Sequence, residues 1–160
     1  MNNGGGKLEI MRIYLDCCCY NRPFDDLSQN RIHDESDAVL SILNRSQTDG
    51  TVIIGSQILR MEIDKIHDEG KKFKVKSLYG AVMESVEYSA FIKERAEVLR
   101  KVAVIHVMDS LHIASAEAAH ADVFLSTDDK LVRACRKLSL HVRVMNPVSY
   151  LAEVIENDGR

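Results

Sequence analysis

Four acidic residues could do chemistry in this chain: Asp16, Glu62, Asp109 and Asp128, each beside an apolar stretch that would hold it in place. Asp16 ends Arg12-Ile13-Tyr14-Leu15, and Asp128 follows Asp122-Val123-Phe124-Leu125 through Ser126 and Thr127. Asp109 lies between Val102-Ala103-Val104-Ile105 and Leu111, Ile113 and Ala114, while Glu62 lies among Ile58, Leu59 and Ile63. Two carboxylates about 4 Å apart repel by roughly 4 kcal/mol at an effective dielectric of about 20. A gathered set therefore needs a cation or raised pKa values. An all-oxygen donor set selects hard ions, which makes Mg²⁺ or Mn²⁺ the natural occupant. Such an ion activates water and neutralises phosphoryl charge, and phosphodiester hydrolysis is the reaction that best fits. Each acid also has a structural reading: Asp16 as a turn cap, Asp109 and Asp128 as helix N-caps, Glu62 as a solvated helix position. Convergence of all four on one edge of a sheet is what favours chemistry. Asp129 is adjacent to Asp128 and either replaces or supplements it.

That convergence depends on the elements between the acids. Arg12 to Asp16 reads as a buried first strand closed by a Cys-rich turn at Pro23, and residues 30–47 read as a helix ended by Thr48-Asp49-Gly50. Thr51 to Ile54 is a β-branched strand, followed from Gln57 by a helix with Ile58, Leu59, Ile63 and Ile66 at three- and four-residue spacing. Residues 71–101, rich in charge, read as one or two amphipathic helices. Met108–Ala119 then reads as a helix, Asp122–Leu125 as a strand, Asp128–Leu138 as a helix and Val142–Met145 as a strand, and Pro147 opens a last helix. Strands alternating with helices predict an α/β fold, a three-layer α/β/α sandwich on a mainly parallel central sheet. In such sheets functional groups collect at the carboxyl ends of the strands, where three of the four acids fall.

Composition narrows the function classes. At 160 residues with 46% hydrophobic and 28% charged residues, the chain suits a single folded domain over about 11–156. Residues 1–10, rich in Gly and Asn, read as a flexible leader or a start-site artefact, with Met11 as an alternative beginning. A net charge of −3 excludes a generally basic nucleic-acid coat, so any nucleic-acid contact is local. No apolar run approaches the roughly 20 residues of a membrane span, and no secretory signal is recognisable, so the expected compartment is the cytoplasm. Cys17, Cys18 and Cys19 are consecutive and Cys135 stands apart, which is poor zinc-site spacing and suits buried, reduced thiols. Gly-rich phosphate loops and serine-hydrolase elbows are absent from the sequence.

Four segments together resemble a known family. Leu15-Asp16-Cys17-Cys18-Cys19-Tyr20-Asn21, Ser56-Gln57-Ile58-Leu59-Arg60-Met61-Glu62, Met108-Asp109-Ser110-Leu111-His112-Ile113-Ala114-Ser115-Ala116 and Ser126-Thr127-Asp128-Asp129-Lys130-Leu131 look like the successive acidic motifs of PIN-domain ribonucleases, over about residues 11–148. The resemblance implies divalent-metal-dependent RNA cleavage and, often, the toxin role in a VapBC-type toxin–antitoxin pair. The family's metal-binding acids then correspond to Asp16, Glu62, Asp109 and Asp128. Ser126 matches the polar residue beside the last acid, and Asn21 and Asp129 are further supporting candidates. Cys17 departs from the small or polar residue usual after the first acid.

Between Lys130 and Ala152 there are five basic residues and no acid, so Lys130, Arg133, Arg136 and Lys137 form a local footprint for RNA phosphates. The structural alternative is a solvated helix face. Lys71-Lys72-Phe73-Lys74-Val75-Lys76 is a second candidate footprint. His112, three residues after Asp109 on the same helical face, reads either as a ligand or proton carrier or as a locally packed histidine. The 71–101 segment offers a face for a homodimer or an antitoxin, against the alternative of packing on its own sheet. The competing functional reading is a catalytically silent PIN-like domain that binds RNA or protein.

Overall fold

The computed structural model describes residues 10–159, so all of the expected leader except Ile10 lies outside the described residues. Its centre is strand β1 (Arg12–Leu15), with Ile13, Tyr14 and Leu15 all buried. Beside it on one side lie β2 (Val52–Ser56) and then β3 (Glu84–Val86), and on the other β4 (Val123–Leu125) and then β5 (Arg143–Met145). Every pairing is parallel, with Tyr14 opposite Ile54 on one flank and Phe124 on the other. Tyr14 also stacks on Phe124, ring centroids 5.3 Å apart. A parallel sheet must be covered on both faces, and among the described residues eight α-helices do this: α1 (Cys17–Asn21), α2 (Asn30–Arg45), α3 (Gln57–Asp64), α4 (Glu69–Tyr79), α5 (Ala90–Val102), α6 (Val107–Ala118), α7 (Asp129–Cys135) and α8 (Pro147–Asp158). α2 packs on α8 and α5 on α6, and the whole is an α/β/α sandwich.

The strand order places the site. The chain winds outward from β1 through β2 to β3, then returns to lay β4 against the free side of β1. The resulting switch point lies at the carboxyl end of β1, where connections leave in opposite directions and a crevice opens. Asp16 sits there, its backbone N–H donating to Leu125 O at 2.9 Å and so continuing the β1–β4 ladder by one residue.

The segment 71–101 holds two helices, within the expected one or two, but also a strand that the sequence reading did not include. It contains parts of α4 and α5, with the edge strand β3 between them. Glu84 and Ser85 are exposed and Val86 only half-buried, so β3 carries no apolar alternation that would announce a strand. Its pairing begins where Met83 N–H donates to Ile53 O. The Cys-rich turn also differs, forming the short helix α1 capped by Asp16. Gly55 in β2 is required by close approach: a Cβ there would lie 2.1 Å from Tyr79 Oη and 2.9 Å from Val82 Cγ1.

Candidate functional site

Asp16 is 6% exposed and held from two sides. Its Oδ1 accepts from Cys17 N–H at 2.8 Å, the capping bond that starts α1. Its Oδ2 accepts from Ser126 Oγ at 3.1 Å and lies 3.6 Å from Cys18 Sγ. Glu62 projects from α3, whose start is fixed by Ser56 Oγ accepting from Leu59 N–H. His112, fully buried on α6, joins the two acids: its Nε2 lies 2.9 Å from Glu62 Oε1 and 3.9 Å from Asp16 Oδ1. Its Nδ1 is 2.7 Å from Tyr14 Oη, which is 2.6 Å from Ser56 Oγ. One donor atom from each of Asp16, Glu62 and His112 lies within 4.8 Å of the others, a spacing that could hold a metal ion.

Asp109 lies in the first turn of α6 rather than capping it, since the cap position is His106. Asp128 takes the capping role expected of it, with Oδ1 accepting from Lys130 and Leu131 N–H at the start of α7. It remains exposed at the rim, near enough for its charge to act on Asp109.

The charges fit a site in which one imidazole serves three acids. Burial raises the Asp16 carboxyl above its ordinary range; the nearby His112 lowers it and Glu62 raises it. Burial together with the charges of Asp16 and Asp128 pushes Asp109 up to about 6. Glu62 moves the other way. Burial alone would raise it, but the hydrogen bond and charge of His112 outweigh that and hold it low. His112 is raised in turn, because its bond to Glu62 and the nearby acids overcome the effect of burial. Among the described residues, Asp16 and Glu62 make ion pairs within 4 Å with His112 alone, and the nearest basic influence is the more distant charge of Lys65, which helps to lower Glu62. A donor set of two carboxylates and one imidazole suits a divalent ion, with Asp109 close by in charge.

The remaining sequence candidates are spread more widely. Ser126 touches Asp16 directly and also accepts from Asp128 N–H at 3.1 Å. Asn21 reaches Cys17, donating to its carbonyl oxygen and to Sγ, and the Cys17 thiol lies near enough to Glu62 to help lower its carboxyl. Asp129 turns to Arg31, whose guanidinium engages both carboxylate oxygens, and it lines a separate groove of about 520 Å³ with Glu35 and Asn146. Lys130, Arg133, Arg136 and Lys137 are exposed along and just beyond α7, and no ion pair among the described residues uses them. In the other basic cluster, Lys71 pairs with Asp25, Lys72 with Glu69 and Lys76 with Asp64. Sequence reasoning missed Tyr14 and Ser56 as polar partners of the site. A tyrosine inside an apolar strand needs somewhere to put its hydroxyl, and that was the available signal.

No family model and no curated protein matches the sequence. Among solved structures, this chain is similar to a chain of the crystal structure of VapBC2 from Rickettsia felis bound to a DNA fragment from their promoter. The TM-score is 0.60 at 16% identity, covering 85% of this chain and 98% of that one. The two chains share a fold. Among the described residues no helix is long and apolar enough to cross a membrane.

Proposed function

We propose that the protein is a divalent-metal-dependent endoribonuclease of PIN-like fold that hydrolyses RNA phosphodiester bonds, as the toxin of a toxin–antitoxin pair. The observation that carries this reading is the meeting of Asp16, Glu62 and His112 at the switch point, with Asp109 and Asp128 acting electrostatically on the same crevice and no lysine or arginine within ion-pair distance of Asp16 or Glu62 among the described residues.

Asp16, Glu62 and Asp109, with Asp128 at the rim, would hold Mg²⁺ or Mn²⁺, and bound there the ion supplies Lewis acidity toward water and phosphoryl oxygen. Ser126 and the Cys17 amide orient the Asp16 carboxylate, and the sheet bond to Leu125 fixes its backbone. Without an ion, burial and the charges of Asp16 and Asp128 raise the Asp109 carboxyl to about 6, and a bound cation would return it to the ionised form that ligation needs. Lys130, Arg133, Arg136 and Lys137 dock backbone phosphates leading into the crevice, which positions the strand without reading its bases. VapBC2, the complex to which the fold is similar, supports the protein partner in this reading.

The test is cleavage of a panel of RNAs by the purified chain with Mn²⁺ or Mg²⁺. Asp16→Asn and Asp109→Asn should each abolish cleavage while circular dichroism stays unchanged. Full activity in both folded variants would reject the assignment.

A further inference from the structure

The donor set differs from the all-oxygen one expected from the acids. His112 is buried, its Nε2 lies against Glu62 and Asp16, and its other ring nitrogen is engaged by an equally buried pair of hydroxyls. A histidine that binds a metal commonly donates its second ring N–H to a fixed acceptor, which sets the tautomer and the ring orientation. Tyr14 and Ser56 provide that acceptor. Ser56 Oγ already accepts from Leu59 N–H at 3.0 Å, and its second lone pair can receive the Tyr14 hydroxyl 2.6 Å away. With an ion bound, Nε2 would give up the proton it shares with Glu62, Tyr14 Oη would accept from His112 Nδ1–H, and the Nε2 lone pair would face the ion between the two carboxylates. The four side chains come from β1, the end of β2, α3 and α6, and the Tyr14 ring is clamped on Phe124, so little in the array can shift independently.

Imidazole suits first-row transition ions, whereas Mg²⁺ prefers carboxylate and water and keeps much of its hydration shell. We propose that His112 Nε2 ligates the ion together with Asp16 and Glu62, that the centre therefore takes Mn²⁺, Co²⁺ or Zn²⁺ in preference to Mg²⁺, and that Tyr14 and Ser56 are positioning residues that hold His112 in the ligating tautomer. This rests on the nuclease reading for the presence of an ion at the site, and it changes which ion and which residue complete the set.

Pulsed electron paramagnetic resonance of the full chain loaded with Mn²⁺ tests the ligand directly. A nitrogen coupling is expected, altered when histidine is labelled with ¹⁵N and lost in His112→Gln. Titration of the full chain with Mn²⁺, and with Mg²⁺ in competition, tests the selection. Tyr14→Phe keeps the ring on Phe124 and removes only the hydroxyl, so it reports even where His112→Gln fails to fold. It should weaken Mn²⁺ binding about 10- to 100-fold and leave Mg²⁺ binding nearly unchanged. Equal weakening for both ions would mean that Tyr14 is merely structural and would overturn its positioning role. Bound Mn²⁺ without a histidine nitrogen coupling would overturn the proposal while the carboxylate-held ion and the nuclease reading stand. Absence of Asp16-dependent cleavage, with the nitrogen coupling present, would instead reject the nuclease reading and keep the metal centre.

Discussion

Two sets of buried acids in this molecule are completed in opposite ways. Glu35 on α2, 1% exposed, accepts from Arg22, Arg31 and Asn146, and Glu117 on α6 accepts from Arg95 and from the His141 backbone N–H. These carboxylates are finished by the chain itself, and they tie α2 to the start of α8, and α6 to α5 and the approach to β5. Asp16 is equally buried, with Glu62 and Asp109 half-buried beside it, and none of the three has an arginine or lysine ion pair among the described residues; one shared imidazole meets the first two. Burying a charge is tolerated only when something compensates it. The difference separates acids that the chain's own arginines complete from acids whose cluster could hold a metal ion.

The sharpest way to break this contrast is to neutralise one member of each set. Asp16→Asn should cut RNA cleavage by more than about a hundredfold, because removing a metal ligand should exceed the 10- to 100-fold typical of its outer-shell partners. It should barely move the urea unfolding midpoint. Glu117→Ala should do the reverse. It leaves the partly buried Arg95 guanidinium unpaired and strips the His141 N–H of its acceptor, at a cost of about 2–4 kcal/mol in urea unfolding. Metal-dependent activity per folded molecule should persist. If Asp16→Asn were the variant that unfolded the protein, the two sets would be alike and the contrast would fail.

Added Mn²⁺ should raise the thermal midpoint of the wild-type chain, by the equivalent of about 2.7 kcal/mol at a hundred times the dissociation constant, and the shift should vanish in Asp16→Asn. A smaller effect is expected from Asp109. Its folded pKa, about 6, lies above its unfolded value, so the folded state holds the extra proton between about pH 4 and 6 and stability falls as pH rises through that window. In chelator, Asp109→Asn should melt above wild type at pH 7, and the gap should close below about pH 4. A lower melting point for the variant at pH 7 would show that Asp109 is paired rather than uncompensated.

Much of the architecture was legible because its signals are local. Ile13-Tyr14-Leu15, Ile53-Ile54 and Val123-Phe124-Leu125 are continuous apolar runs of a sheet buried on both faces, and the helices between them show plain periodicity. β3 was not legible. Glu84-Ser85-Val86 is a strand because β2 presents a free edge to it, which no residue in the segment declares. In the site, the acids at strand ends could be found by position, but their partners could not. His112 reaches Glu62 across 50 positions and Tyr14 across 98, so its place in the cluster is a product of the tertiary fold. Asp128 and Asp129 could not be told apart in sequence, and Arg31, 98 positions from Asp129, separates them by claiming the second.

Gly55 gives the closing lesson. Tyr79 leans over it tightly enough to hydrogen-bond both the N–H and the carbonyl of Ser56, the residue from which α3 departs toward Glu62. A methyl group at position 55 would have to push that ring aside and would tilt the helix behind it, so a change without charge or polarity would still misaim Glu62. The reach of the candidate site into the sequence is wider than its acids, and surveys of tolerated substitutions should find intolerance at a residue with no side chain at all.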